Sequence, residues 1–301
     1  MKKVLRKNIL MKFTWKLSYS LMLFITITFL AFISFRLSVN NKMIIHLGNG
    51  FIFSDFLSWI IKVFSSMDLG TTLSGKPVFG SLLKSFGKTL MLTVSSLIIS
   101  FSISLILGWY WSNYGKNFAV QTFSRIINLI SSIPLFLAAF IIVLLSPYMV
   151  IDITSDTVST VDILIYYLVP IFTLSIFDGF ITEMTNFIKI RFDEISSEQF
   201  ITALEIRGGN IKKHIMKHII YDLLTIVNSK FVTLIGGAII IEIIFGWKGI
   251  GLQGYNAVYY RDYSLFMGVI IFTTIAIMIF NLTTYIVNHL IKNKYFIDNT
   301  N

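Results

Sequence analysis

Long apolar runs separated by short charged segments make up most of this 301-residue chain. Four of the runs carry no charge over roughly 19 residues or more, which is enough for an α-helix to cross the hydrocarbon core of a bilayer. Two further runs are interrupted, one by Asp178 and Glu183 and the other by Lys230 and Glu242. The pattern predicts an all-α, polytopic integral membrane protein in which residues 1–301 form a single domain with six transmembrane helices. The predicted spans are residues 13–37, 87–112, 123–147, 163–188, 223–246 and 264–290.

The Lys and Arg residues indicate on which side of the membrane each connecting segment lies. With six spans and a cytoplasmic N-terminus, about twice as many of them lie on the cytoplasmic side as outside, as the positive-inside rule predicts. If only the four spans built on uninterrupted apolar runs crossed the membrane, residues 189–222 would face outward instead. This distribution of Lys and Arg predicts a multi-pass protein with both termini in the cytoplasm. Abundant Ile, Lys, Asn and Phe are typical of AT-rich bacterial genomes, so we expect the membrane to be a bacterial cytoplasmic membrane. A signal peptide is the alternative for the N-terminus, but its apolar part is too long and no small-residue cleavage site follows.

Two local features differ from straight membrane-spanning helices. Between the first two spans, apolar residues recur at helical spacing, which predicts a short helix lying in the membrane interface. These residues are Phe53, Phe56, Leu57, Ile60, Ile61 and Phe64. Pro134 lies inside the third span, where its missing N–H predicts a kink.

Residues 196–222 form a soluble-looking segment between the fourth and fifth spans. In each half of it, apolar residues lie four apart, which predicts a helix with one apolar face. They are Phe200 and Leu204 in the first half and Ile211, Ile215 and Ile219 in the second.

A capping pattern and a glycine pair predict where these two helices begin and end. Ser196, with Gln199 three residues later, is a plausible capping box. Gly208 and Gly209 allow a positive φ between the halves. We therefore expect a short helix, a tight turn and a second helix that enters the fifth span.

Two interpretations of this segment remain open on spacing alone. It is a coupling segment that docks into the groove of a cytoplasmic partner, with Ala203 as the small residue that allows close approach. Alternatively, it is an interfacial helix pair that its basic residues hold to anionic membrane lipid. These residues are Arg207, Lys212, Lys213 and Lys217.

Composition excludes several classes of protein. The chain is 55% hydrophobic with only 13% charged residues, and its mean hydropathy is +0.78. It has no cysteine, which excludes disulfides, thiolate metal sites and cysteine nucleophiles. The net charge of +10 is explained by membrane topology, and without a compact basic domain no nucleic-acid partner is expected. The histidines offer one pair at helical spacing, His214 and His218, without a third ligand beside it, so no metal site is expected.

Residues 202–208 resemble the cytoplasmic signature of ABC importer permeases, which is Glu-Ala-Ala, three further residues and then Gly. Ala203 and Gly208 fit the interval between the first Ala and the Gly. Thr202 stands in the place of the Glu, and Leu204 stands in the place of the second Ala.

A second stretch, residues 237–271, is similar to the dipeptide, oligopeptide and nickel subfamily of these permeases. The residues in the expected places are Glu242, Phe245, Trp247, Gly249, Gly251, Asp262 and Gly268. His218, ten residues beyond Gly208, also falls where this subfamily often has His. Lys248 and Ser264 replace prolines that are usual in the block, and these departures bear on substrate identity rather than on the fold. Weaker similarities are Asp68-Leu69-Gly70, Gly75-Lys76-Pro77 and Ser132-Ile133-Pro134.

The resemblance implies the parts of an importer for peptides or a nickel or other metal chelate. Two permease chains, usually non-identical, form the pathway over two ATP-binding subunits, and an extracellular substrate-binding protein delivers the substrate. A coupling helix between spans 4 and 5 would contact the ATPase through Thr202, Ala203, Leu204, Arg207, Gly208 and His218. This chain would bind no cofactor, because ATP and Mg²⁺ belong to the partner subunits. The sequence agrees, since it has no Gly-rich phosphate loop, and the chain itself is then not an enzyme.

Two other classes are alternatives. A secondary transporter working without an ATPase would normally show paired half-repeats and broken helices, and neither is visible in the sequence. An intramembrane enzyme would need a catalytic set inside the spans, for which Asp178 alone does not suffice.

Charged and hydroxyl residues inside the predicted spans have two interpretations each. Asp178 lies near the middle of the fourth span, where a carboxylate is costly and usually faces protein or a water-filled cavity. We hypothesise that Asp178, with Glu183, lines the pathway and favours a cationic substrate; pairing with a neighbouring helix or with the partner permease is an equal alternative. Glu242 is interpreted as a structural brace near Trp247 at the outer end of span five. Serines that could hydrate a path or pack helices are Ser95, Ser96, Ser100, Ser102 and Ser104.

Overall fold

The computed structural model describes residues 2–38, 52–115, 117–145, 160–209 and 211–297, and these ranges are built from α-helices. The helices are α1 Lys2–Ser38, α2 Ile52–Ser66, α3 Val78–Tyr114, α4 Phe118–Ser131, α5 Leu135–Leu145, α6 Thr160–Phe177, α7 Phe180–Ser196, α8 Gln199–Ile206, α9 Ile211–Phe245, α10 Ile250–Tyr259 and α11 Tyr263–Ile297. Within the described ranges the one extended pairing is an isolated bridge between Thr71 and Pro77. The predicted all-α fold class is confirmed.

The candidate membrane spans are of two kinds. Thr14–Ser34 of α1, the whole of α3 and Tyr263–Val287 of α11 are each long and apolar enough to cross a membrane as single helices. Three further candidates are pairs of helices separated by a bend, and the number of spans reaches six if each pair counts as one. The regions predicted as the third and fourth spans are therefore bent helix pairs, so the expectation that the chain has no broken helices is wrong.

The third span is broken at Pro134 into α4 and α5, which are bent by 87°. Proline has no N–H to donate back into α4. The backbone N–H of Ser132 caps α4, and the carbonyl of Pro134 accepts hydrogen bonds from Leu137 and Ala138, which begins α5. The sequence thus predicted the position of this irregularity, but as a kink rather than a break close to a right angle.

Glycines with positive φ mark the other two breaks. Helices α6 and α7 are bent by 43° at Gly179, whose φ is +80°. Helix α9 ends just before Gly246, whose φ is +66°. Glycine alone adopts this conformation at no steric cost. Because broken helices are present after all, their presence does not separate an importer permease from a secondary transporter.

The chain forms two compact units, and the first consists of Met1–Gly87 and Lys248–Thr283. Its core is apolar, with Phe24, Val63, Leu69, Val78, Leu82, Ile250, Ala257, Leu265 and Ile271 buried together. Phe32 and Phe56 join α1 to α2 through an edge-to-face contact of 5.6 Å between ring centroids. Helix α2 confirms the predicted short helix, since it buries Phe56 and Val63 and exposes Phe53 and Leu57 on other faces.

The second unit consists of Lys88–Trp247 and Thr284–Asn301, and small polar residues pack its helices. Ser96 donates its hydroxyl to the carbonyl of Ile171 on α6 (3.0 Å), and Ser100 donates to the carbonyl of Ser175 (2.9 Å). Both serines are buried, so helix packing rather than hydration of a path explains them. The prediction that residues 1–301 form one domain stays a prediction.

Candidate functional site

The predicted site residues lie in three places. The first is the α8–α9 turn, the second is the family-like block from the end of α9 to the start of α11, and the third is the break between α6 and α7.

The predicted coupling segment folds as a short helix, a turn and a long helix, as expected. Helix α8 ends at Ile206, Gly208 adopts a φ of +69°, and α9 begins at Ile211. The N–H of Gly209 donates to the carbonyl of Leu204 (3.0 Å), which closes the turn. Because a left-handed conformation costs an L-residue roughly 1–2 kcal/mol, the turn favours glycine at this position.

The predicted capping box at Ser196 and Gln199 is wrong. Ser196 is the last residue of α7, and its hydroxyl donates to the carbonyl of Phe192 (2.6 Å). The N–H of Ser197 caps the same helix by donating to the carbonyl of Glu194 (3.2 Å). The serine hydroxyl therefore bonds back into the preceding helix, and α8 begins only at Gln199.

The C-terminal end of α8 is exposed although the helix buries Ile201. Ile206 is 83% exposed, and Arg207 and Gly208 are exposed beside it. An exposed large aliphatic residue beside a glycine outside the spans suits contact with another molecule. Sequence analysis missed Ile206, since it does not belong to the apolar stripe of α8, and the signal for it would have been its position next to the turn glycine.

The remaining predicted coupling residues are only partly described. Thr202 and Ala203 belong to α8, but their side chains lie outside the described part of the chain. His218 is exposed on α9, and its ring centroid lies 5.1 Å from that of His214. Among the described His, Asp and Glu residues, no group of three is placed to hold a metal ion.

Charged contacts fix the start of α9 to α7 and α3. Arg191 on α7 donates through Nε to Oδ2 of Asp222 on α9 (2.9 Å), and its Nη2 bonds to the same oxygen. The Nη1 of Arg191 donates to Glu194 (2.7 Å). Lys212 on α9 donates to Oδ1 of Asn113 on α3 (2.6 Å). A movement of the turn would therefore act on three helices together.

Glu242 occupies the other end of α9 and is fully buried, with 0% of its surface exposed. Thr89 on α3 donates its hydroxyl to Oε1 of Glu242 (2.5 Å). Phe245 and Trp247 are buried close by in the chain, and the Trp247 ring stacks on Tyr166 of α6 with 5.6 Å between centroids. A buried carboxylate needs such hydrogen bonds, and the arrangement joins α3, α6 and α9 as a brace.

The rest of the family-like block shapes the first unit. Gly249 is the N-cap of α10, and Gly251 is buried in its first turn. Asp262 is buried and accepts hydrogen bonds from the N–H of Leu265 (3.0 Å) and of Leu73 (2.8 Å). The aspartate therefore caps α11 and holds the loop that follows α2.

Asp178 lies at the break between α6 and α7 rather than within a straight helix. Its Oδ1 faces Gly237 of α9, where a Cβ would lie 3.0 Å from this oxygen. Its Oδ2 is buried and has no hydrogen-bond partner among the described residues. Glu183, in contrast, is largely exposed and forms an ion pair with Lys230 of α9. The two carboxylates thus differ in burial and in direct partners, although Lys230 acts electrostatically on both.

Comparison with known proteins identifies the family. Residues 100–296 match the inner membrane component of binding-protein-dependent transport systems. Putative peptide permeases of Brucella ovis and Brucella suis are each 25% identical to this chain over 242 residues, covering 76% of this chain and 75% of the relative. The nickel import system permease protein NikB of Staphylococcus aureus is 26% identical over 220 residues, covering 71% of this chain and 64% of the relative. Because the match spans well over half of its length, this chain belongs to the binding-protein-dependent transport system inner membrane components, a family of multi-pass transport subunits that are not themselves catalytic.

Proposed function

We propose that this chain is one of two permease subunits that form the translocation pathway of an ABC importer in a bacterial cytoplasmic membrane. Two ATP-binding subunits, which hold ATP and Mg²⁺, drive transport, and an extracellular substrate-binding protein delivers the substrate. Both termini are cytoplasmic in this arrangement, and the α8–α9 turn then lies on the side of the ATPases. Family membership and the geometry of the turn support the proposal.

The exposed end of α8 is the observation that carries the proposal. Ile206 offers an apolar side chain, and Arg207 adds a positive charge. Apart from its two neighbours in the chain, no described residue has a heavy atom within 4 Å of the position that a Cβ on Gly208 would take, so a partner surface can approach closely. Amphipathic helices bind grooves through such a combination of features. Helix α8 therefore lies in a groove of an ATP-binding subunit.

The continuity of α9 explains how closure of the ATPases reaches the membrane. Helix α9 has 35 residues, so it is about 50 Å long at 1.5 Å per residue. The Arg191–Asp222 ion pair fixes it near the turn, and the Thr89–Glu242 hydrogen bond fixes its other end. A displacement of the turn is thus transmitted along one rigid helix, and it switches the pathway between inward-facing and outward-facing states.

The substrate is a peptide or a nickel or other metal chelate, as the names of the relatives suggest. Asp178 lines the pathway and favours a cationic substrate, since its Oδ2 is free to accept a hydrogen bond from a further group. Glu183 adds little to this preference, because Lys230 balances its charge.

Co-purification tests the docking of α8. The tagged chain is purified in mild detergent, and mass spectrometry identifies the proteins that accompany it. Gly208→Asp forces a side chain into the left-handed region and adds a negative charge to the docking surface. We expect the accompanying ATP-binding subunit to fall at least about tenfold, because changes at the centre of an interface cost 2 kcal/mol or more.

Gly75→Asp is the matched control for this experiment. Gly75 also has a positive φ (+78°) and open space around it, and in the proposed topology it lies outside the cell. We expect this variant to retain the ATP-binding subunit. Equal loss in both variants would contradict specific docking at α8. A wild-type chain that purifies without an ATPase in every mild detergent would contradict the importer itself and favour a secondary transporter.

A further inference from the structure

Lys189 on α7 has an unusual environment for a lysine at the end of a membrane span. Its Nζ donates to the hydroxyl of Ser124 on α4 (2.5 Å) and lies 5.3 Å from the centroid of the Trp111 ring on α3. No carboxylate pairs with it among the described residues, although Arg191, two positions further along α7, has two carboxylate partners. Within the described ranges the ammonium group thus contacts a hydroxyl and an aromatic face but no carboxylate, which leaves its charge available to an anion.

A small, half-open cavity adjoins Lys189 between α3, α4 and α7, and most of its wall is apolar. Its volume is about 20 Å³, and Tyr110, Asn128 and Thr185 are among its lining residues. Thr185 is only 6% exposed, and its hydroxyl has no hydrogen-bond partner within the described ranges. A cavity of this size accommodates about one water molecule. A buried hydroxyl without a partner costs free energy, so a water or a ligand atom at this position would stabilise the unit.

The surface around the cavity has the character of a membrane interface. Trp109, Tyr110 and Tyr114 are exposed at the end of α3, and aromatic residues of this kind are enriched at the level of the lipid head groups. Helix α4 carries one charged residue, Arg125. Its exposed apolar side chains are Phe118, Phe123, Ile126, Leu129 and Ile130. A cation beside a buried hydroxyl without a partner thus borders a surface that suits acyl chains.

We propose that Lys189 binds the phosphate of an anionic phospholipid whose acyl chains lie along the exposed apolar face of α4. Basic pockets between transmembrane helices bind anionic head groups in this way. The apolar face of α4 favours a lipid over free phosphate, because inorganic phosphate would leave that face without a ligand. In the proposed topology the lipid lies in the cytoplasmic leaflet. The site does not depend on which substrate is transported or on whether α8 docks to an ATPase.

Native mass spectrometry tests this site on the chain purified with whatever subunits accompany it. Phosphatidylglycerol or phosphatidylcholine is added, and the bound lipid is counted for each variant. We expect wild type to retain phosphatidylglycerol in preference to phosphatidylcholine. Lys189→Met keeps a long side chain against Trp111 but removes the charge, and we expect it to bind phosphatidylglycerol at least about fivefold more weakly, the effect of one basic residue. Lys189→Arg keeps the charge and should retain the lipid.

Arg125→Gln is the matched control, because Arg125 is an exposed cation on α4 that does not line the cavity. This variant should bind phosphatidylglycerol as wild type does. Equal weakening in Lys189→Met and Arg125→Gln would mean general electrostatic attraction and would overturn the site, as would unchanged binding in Lys189→Met. Displacement of the lipid by millimolar inorganic phosphate would overturn the lipid in favour of a free anion.

Thr185→Val provides a second variant that the fold should tolerate, since it removes an unpartnered buried hydroxyl and keeps the size of the side chain. If Lys189→Met does not assemble, this variant decides the question. We expect about twofold weaker binding of phosphatidylglycerol, because a buried hydroxyl that lines the cavity and could bind the head group is lost. Unchanged binding would contradict the participation of the cavity.

Discussion

Glu242 and Asp262 show how far single residues could be interpreted from sequence. The spacing of the family-like block identified both, and the expectation that Glu242 braces the fold agrees with its hydrogen bond from Thr89. That donor lies 153 residues away in the chain, and the N–H of Leu73, which bonds to Asp262, lies 189 residues away. Partners at such separations leave no local pattern. The residues could therefore be predicted, but their partners, and the capping of α11 by Asp262, could not.

Gly268 illustrates a role that no spacing reveals. A Cβ at this position would lie 2.5 Å from Cδ1 of Leu82, which is closer than two carbon atoms without a bond between them approach. The glycine of the block therefore permits close packing of α11 against α3 within the first unit. The sequence identifies Gly268 by its place in residues 237–271, but the structure is needed to identify Leu82 as the side chain that it accommodates.

Asp178→Asn tests the role of the pathway carboxylate at the scale of one residue. The substitution removes the negative charge and keeps the size of a side chain that faces Gly237. We expect uptake of cationic substrates, such as lysine-containing peptides or a nickel chelate, to fall several-fold relative to neutral peptides, because a fixed charge in a water-poor environment acts strongly on a passing cation. Competitive uptake of matched cationic and neutral peptides measures this ratio.

Glu183→Gln is the control for Asp178→Asn, because Lys230 already balances the charge of Glu183. Its ratio of cationic to neutral uptake should change less than that of Asp178→Asn. An unchanged ratio in Asp178→Asn, with the complex still assembled, would show that Asp178 is a structural carboxylate and would remove the charge-preference proposal.

At the scale of helices, local chemistry decided which irregularities could be predicted. Pro134 predicted an irregularity because its missing N–H removes a hydrogen bond from the helix, although Pro170 lies inside α6 without ending that helix. Gly179 did not predict the break between α6 and α7, because glycine is common in transmembrane helices and its left-handed φ depends on neighbouring packing. The capping box failed at Ser196 because a serine hydroxyl bonds equally well to a carbonyl of the preceding turn.

The Arg191–Asp222 ion pair predicts coupling between α7 and α9. Reversing one charge, as in Asp222→Arg, leaves two like charges in contact, and we expect a loss of about 1 kcal/mol of stability, measured as thermal unfolding in detergent. Transport per ATP hydrolysed should also fall, since the turn would no longer move both helices together. The double variant Arg191→Asp with Asp222→Arg restores opposite charges between the two helices and should recover coupling. It should recover only part of the stability, because the Arg191–Glu194 pair is lost.

Lys62→Glu provides the comparison for this charge reversal. Lys62 and Asp68 are 3.9 Å apart and both mostly exposed, so their pair contributes little. Reversal there should change neither thermal unfolding nor the coupling ratio appreciably. Failure of the Arg191 and Asp222 double variant to recover coupling would show that the ion pair does not transmit movement, even if stability returns.

For the whole molecule, hydropathy predicted the membrane class, which is confirmed. The count of six spans stays a prediction, because three candidates are single helices and three are bent pairs. The side of each loop rests on the distribution of Lys and Arg. The third predicted span and both spans that charges interrupt correspond to bent helix pairs, and the two interrupted spans decide the side on which residues 189–222 lie. If neither crosses the membrane, residues 189–222 face outward, and α8 cannot contact a cytoplasmic ATPase. The orientation of this one segment therefore decides the entire mechanism.

Single cysteines provide a clean measurement of that orientation, because the natural chain contains no cysteine to give a background signal. Ser197 lies exposed between α7 and α8, and Ser74 lies exposed in the loop after α2, so Ser197→Cys and Ser74→Cys both place an accessible thiol with little change in size. A membrane-impermeant maleimide should label Ser74→Cys in intact cells and Ser197→Cys only after the membrane is permeabilised. Labelling of Ser197→Cys in intact cells would contradict the six-span topology and the docking of α8. Labelling of neither until permeabilisation would keep α8 cytoplasmic and contradict only the outer position of the loop at Ser74.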